Sequence, residues 1–275
     1  MTATVLAPVA QPRHSAYRAA GFKDVLLSEW TKIRSVRSTM WTLLAATVLG
    51  IGLSALFSGL AAHSYKTSHS LRVNWDPTSV STSGLGIAQL AIGVLGALFI
   101  SSEYSTHAIR TSLTAVPQRR RFLTAKATVI AAIAFVTGEV MAFIAFFLGQ
   151  ALISGSAPTA GLGDAHVLRA VFGSGLYLTL IGLLGIGLGA LLRSAAGAIT
   201  ALVAMLYVLP GLAQALPSSI KNVIVKFWPS NAGQQITSVV RGDHTLPAWA
   251  GFVVMCVFVA LVLAAAFTRL SRRDA

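Results

Sequence analysis

Residues 103–126 read EYSTHAIRTSLTAVPQRRRFLTAK and lie between two long apolar runs. Ile109, Leu113 and Val116 recur at i, i+4 and i+7, which sets them on one face of a short helix. Pro117 can end that helix, because it lacks an N–H donor and biases the preceding residue away from helical geometry. Arg119, Arg120 and Arg121 follow, and Lys126 stands where the next apolar run begins. The stretch is too polar to enter a bilayer, and its pattern is too regular for a tether. It is expected to lie across the cytoplasmic surface of a membrane as an amphipathic helix that offers a face to another protein.

Composition supplies the membrane. The 275 residues are 55% hydrophobic and 11% charged, with a mean hydropathy of +0.74, whereas a soluble domain carries about 25% charged residues. The chain reads as an all-α polytopic membrane protein. Its net charge is +13, from 21 Lys and Arg against 8 Asp and Glu. In a soluble chain that excess would suggest nucleic acid. Membrane proteins, however, concentrate Lys and Arg in their cytoplasmic loops, and no nucleic-acid partner is expected. Cys256 is the single cysteine and sits inside an apolar run, so it forms no intramolecular disulfide and reads as a core filler. Residues 1–20 lack an early basic region, and Pro8 breaks their short apolar run. They read as a disordered cytoplasmic tail rather than a signal peptide.

Residues 21–40 are expected to form an interfacial amphipathic helix. Phe22, Val25, Leu26, Trp30, Ile33, Val36 and Met40 share one side of the wheel, with Lys23, Lys32 and Arg34 flanking it. Glu29 projects from the middle of the apolar face. Two readings stand: it bends to the surface, or it pairs with a basic residue of the 119–126 segment.

Six apolar runs follow, at about 41–62, 83–102, 128–153, 169–192, 195–216 and 248–268. Each is near the ~20 residues needed to span a bilayer. The fourth and fifth meet at a tight turn around Arg193 and Ser194. Trp41 and Trp249 begin the first and last runs, as interfacial aromatics do. Counted on alternate sides, fifteen Lys and Arg share the side of the N-terminus and the 103–126 stretch, against six on the other. Both termini, including residues 271–275, are therefore placed in the cytoplasm.

Within the spans, Gly175, Gly182 and Gly189 repeat every seven residues, as do Gly52 with Gly59 and Gly86 with Gly93. Such rows suit close helix packing, within one chain or with a second copy. Thr128, Glu139 and Gln150 are spaced by eleven residues and form one polar stripe on the third span. A carboxylate at the depth of Glu139 is costly and marks a bundle interior or a cavity. Pro210-Gly211 should kink the fifth span. Beyond it, Ile220, Val223, Ile224 and Phe227, then Ala232, Ile236, Val239 and Val240, show helical spacing. They read either as two short amphipathic helices dipping into the outer leaflet or as a surface loop.

Chemical motifs are lacking. No stretch matches GxxxxGK[ST], HExxH, GxSxG or CxxC. His63 and His69 are six residues apart, with no acidic residue nearby until Asp76, and read as solvated rather than metal-binding. No catalytic carboxylate pair is visible.

Taken together, FKDVLLSEWTKIRS before the first span, EY-x4-IR-x6-P-x-RRR-x3-AK after the second, the Pro-Gly-broken fifth span and its helical outer loop resemble the ABC-2 type permease family over residues 22–270. Members are membrane subunits of ATP-binding-cassette exporters. The resemblance implies a coupling helix at about Ser105–Val116 that seats in a separate ATPase subunit. Ile109, Leu113 and Val116 would be its packing face, and Pro117 its end. Arg110, Arg119, Arg120 and Arg121 would meet acidic groups on the ATPase or lipid phosphates. Glu103 would close the second span, paired with Arg110. The implied assembly is two permease chains, a second copy or a paralogue, with two ATPases, in a bacterial cell membrane. It also implies that this chain is not an enzyme and holds no cofactor, ATP being bound by the partner. Few polar groups line the spans, so amphipathic or hydrophobic cargo is expected. Two other classes remain: a membrane-embedded enzyme using Glu139 as acid or base, and a signalling or assembly factor that moves no cargo.

Overall fold

A computed structural model describes residues 21–105 and 119–272. Among them there are helices and no strand. Among the described residues six helical segments are long and apolar enough to cross a membrane. The N-terminal tail at 1–20 and most of the proposed coupling helix, including Ile109, Arg110, Leu113, Val116 and Pro117, lie outside the described residues.

Helix α1 (Phe22–Ser35) precedes the first span, α2 (Arg37–Tyr65). Sequence periodicity runs one helix through Met40. Instead, Val36 turns extended, at φ −87° and ψ 100°, so Arg37 and Met40 belong to the span. Val25, Glu29 and Ile33 are the buried residues of α1, spaced at i, i+4 and i+8. Two short helices follow α2: α3 (His69–Val73) and α4 (Pro77–Ser81). The second and third spans are α5 (Leu85–Ser105) and α6 (Arg119–Ile153). Helix α6 begins about two turns before its apolar run. Arginine is a good helix former, so the basic stretch continues the helix out of the apolar zone.

Helix α7 (Val167–Leu192) is the centre of the bundle. Its apolar window is 67% buried, against 22% for α2, and it packs on both α5 and α6. Glycine permits that contact. A Cβ on Gly185 would stand 2.1 Å from the Gly93 carbonyl oxygen, and one on Gly96 2.2 Å from that of Gly182. At these crossings two backbones touch directly, so dispersion acts along the whole seam. The seven-residue glycine rows divide: Gly93, Gly175, Gly182 and Gly189 pack inside the chain, while Gly52, Gly59 and Gly86 have nothing within 4 Å of their Cβ position.

The α7 chain reverses at Arg193, in left-handed geometry at φ 54°, and Ser194 caps the fifth span. That span is α8 (Ala195–Val203), a π-helical turn (Ala204–Val208) and α9 (Leu209–Ala213). In the wide turn the Leu209 N–H donates to the Ala204 carbonyl. The next donor would serve the Met205 carbonyl, but residue 210 is proline and has none. The indole Nε1–H of Trp228 donates to that carbonyl instead, at 2.8 Å. Trp228 follows α10 (Ser218–Phe227), and α11 (Pro229–Gln234) then leads toward the last span, α12 (Ala248–Arg272). Trp228→Phe keeps the ring and removes the donor. It is expected to cost about 1 kcal/mol, read as a lower thermal midpoint in detergent, with faster amide exchange confined to residues 204–212.

At the far end of the bundle Asp76 ties two loops together. Its Oδ1 accepts from the Thr78 and Ser79 N–H groups, capping α4, and its Oδ2 accepts from Val239 and Val240. Gln150 works beside it: its amide donates to the Pro77 carbonyl and Ser81 Oγ, and its oxygen accepts from the Ala160 N–H.

Candidate functional site

Three helices meet where α5 ends and α6 begins. On α5, Phe99 and Glu103 are four residues apart and share a face; on α6, Phe122 and Lys126 do the same. The buried face of α1 brings Glu29 between them. Lys126 Nζ lies 2.6 Å from Glu29 Oε2 and 2.9 Å from Glu103 Oε1. Lys32 Nζ bridges the same two carboxylates, at 2.7 Å to Glu29 and 3.0 Å to Glu103. Two ammonium groups and two carboxylates thus alternate in a ring with no net formal charge.

Burial is uneven around the ring. Lys126 is fully buried and Glu29 is 1% exposed, whereas the Lys32 side chain is 44% exposed. The Lys126 ammonium also sits 4.0 Å from the centroid of Phe99 and 5.1 Å from that of Phe122, and such aromatic faces attract a cation that has lost its water. Burial lowers the Lys32 pKa, but hydrogen bonds and charge from Glu29 and Glu103 outweigh it and leave the pKa raised. Lys32 therefore stays charged at neutral pH. A ring of this kind adds little net stability over an apolar core, because desolvation consumes much of the Coulomb energy. What it does enforce is matching: each member needs the others. The ring joins three segments that are far apart in sequence and stands on both sides of residues 106–118.

Trp30 (47% exposed) and Arg34 project away from the ring on the exposed side of α1. Arg119 begins α6, and Arg120 and Arg121 are exposed there. Arg110, the partner expected for Glu103, lies outside the described residues; among those described, Glu103 meets Lys32 and Lys126. The three stripe residues of α6 have separate surroundings. Thr128 is exposed and bonds within its own helix to the Thr124 carbonyl, while Gln150 belongs to the far-end loops. Glu139 packs against Gly175 of α7, and neither of its oxygens has a hydrogen-bond partner among the described residues.

Sequence reasoning missed a second polar cluster. Tyr177 of α7 donates to Gln89 Oε1 of α5 at 2.8 Å, and Gln89 Nε2 donates to the hydroxyl of Tyr207 in the π turn at 3.2 Å. Tyr207 in turn donates to the Gly86 carbonyl at 2.6 Å. The cluster ties the second, fourth and fifth spans, and two of its residues, Gly86 and Tyr177, line a cleft of about 210 Å³. Gln89, a lone amide in an apolar run, was the available signal.

The fold and ring together define a multi-pass helical membrane protein whose pre-span helix is locked to the base of its second and third spans. A family model described as ABC-2 family transporter protein matches residues 25–211, and the chain belongs to that family. It is a permease subunit of an ABC transporter, and membership implies an ATPase partner. No match was found among curated proteins.

Proposed function

We propose that the chain is the membrane half of an exporter driven by a separate ATPase, coupled through a helix at about residues 105–116. The observation that carries this reading is the charged ring, which binds α1 to the end of α5 and the start of α6, the two helices that flank that segment in the sequence. A force applied to residues 105–116 would then move three helices together, rather than bending one loop. Ile109, Leu113 and Val116 would fill a groove in the ATPase. Arg110 and Arg119–Arg121 would meet its acidic rim or nearby lipid phosphates. The family match and the lack of a P-loop support placing ATP and its hydrolysis on the partner, with no catalytic group or cofactor here. The charge bias supports cytoplasmic termini, and the family resemblance supports a bacterial cell membrane. Two permease chains would face each other across the transport path, and cargo would be amphipathic or hydrophobic.

The test is co-purification from mild detergent of the tagged chain and of Leu113→Asp, with partners identified by mass spectrometry. An ATP-binding-cassette protein should accompany the first and be at least about tenfold depleted from the second, as expected when a charge enters an apolar anchor pocket. Equal recovery with both would remove the 105–116 segment from the interface. Absence of an ATPase from both, with the chain folded, would remove the coupling reading altogether.

A further inference from the structure

Beside the charged ring, a cleft of about 500 Å³ opens between α1, the start of α2, and α5 and α6. Its volume is in the ~300–1,000 Å³ range of small-molecule sites. The lining is two-sided. Ile33, Val36, Leu95, Leu98 and Ile130 give an apolar trough, and Thr39 and Thr42 add hydroxyls. At one end stand Lys32 and Glu103, both members of the ring. Glu103 uses only Oε1 in the ring, taken by Lys32 and Lys126; among the described residues its buried Oε2 has no hydrogen-bond partner. A buried carboxylate oxygen left unpaired carries a desolvation cost that a donor would relieve.

We infer that this cleft binds an amphiphile with a primary ammonium head, seated as an aminophospholipid of the surrounding leaflet. The acyl chain lies in the trough between Leu95, Leu98 and Ile130. The ammonium donates to Glu103, and the phosphate, one bridge away in the same headgroup, faces the half-exposed Lys32. This zwitterion matches the order of charges at the end of the cleft: acceptor inside, cation at the mouth. A quaternary ammonium has no N–H to give, so the site distinguishes ethanolamine from choline heads by hydrogen bonding rather than by charge. The inference deepens the proposed function, since a lipid held here touches the ring and would be felt by whatever the ring moves.

The test uses the full chain purified in detergent, exchanged against equimolar phosphatidylethanolamine and phosphatidylcholine of identical acyl chains, and examined by native mass spectrometry. Phosphatidylethanolamine should be retained about tenfold over phosphatidylcholine, the equivalent of one charge-assisted hydrogen bond. Leu98→Trp fills the trough from a residue that is 41% exposed, so it can be made without disturbing the core. In that variant the preference should fall to parity. Equal retention of both lipids by the unaltered chain overturns the inference, as does an undiminished preference in Leu98→Trp. Neither readout involves the ATPase, so failure here leaves the co-purification result standing, and failure there leaves this one.

Discussion

Replacing Lys126 by methionine is expected to lower stability by about 3 kcal/mol, measured as thermal or denaturant unfolding in a mild detergent. Breaking a buried ion pair by removing one partner costs about 3–5 kcal/mol, because the other partner stays buried and uncompensated. Here the lower end applies. Lys32 still reaches both Glu29 and Glu103, so neither carboxylate is wholly abandoned. The loss should be reversed in large part by adding Glu29→Gln, which returns the remaining pair, Lys32 and Glu103, to balance. The sign of that rescue separates a charge-matching role from simple packing. If the double variant is as unstable as the sum of the two single ones, the ring is not a coupled unit.

Gly185→Val is expected to cost about 3 kcal/mol and to weaken the contact between α5 and α7. Overfilling a packed core costs about 1–3 kcal/mol when side chains can shift. Here the obstructing atoms are backbone, with the Gly93 carbonyl oxygen at 2.1 Å and the Ala97 nitrogen at 3.0 Å from the new Cβ. Two helices must part before even the first carbon of the new side chain can enter. Gly52→Val is the internal control, because nothing lies within 4 Å of that Cβ position. The unfolding midpoint of the Gly52 variant should stay close to that of the unaltered chain. A matching drop in both variants would mean that the seam between α5 and α7 is not where this protein is tightest.

The spans were readable because length and hydropathy alone decide whether a helix can cross a bilayer. The ring was half readable. Glu29 broke the apolar face of α1, and a basic residue of 119–126 was one of two destinations considered for it; the structure takes it to Lys126. The second half was hidden. Lys32 reads from local periodicity as a cation flanking an apolar face, and nothing local says that it crosses 71 residues to Glu103. Two boundaries moved for similar reasons. Arg119–Arg121 stood outside the third apolar run because they are polar, although a helix can carry its arginines out of the bilayer. Val36 looked like helix because it kept the period, although its backbone is extended. The Gln89–Tyr177–Tyr207 cluster escaped because phenols and amides in an apolar run carry no charge to mark them. Their meeting depends on which helices are neighbours, and hydropathy does not specify that.

The charged ring also has a history within each molecule's synthesis. Glu29 and Lys32 leave the ribosome almost together and are three residues apart on one helix, so they can pair at once. Lys126 arrives 97 residues after Glu29, when two spans have already been threaded. Until then Lys32 is the only ring cation available to Glu29, as a temporary escort at the membrane surface. The mature arrangement requires Glu29 to share itself with the late-coming lysine while Lys32 extends toward Glu103. The outer, half-exposed position of Lys32 suits that handover, since it can neutralise an early carboxylate without being buried first.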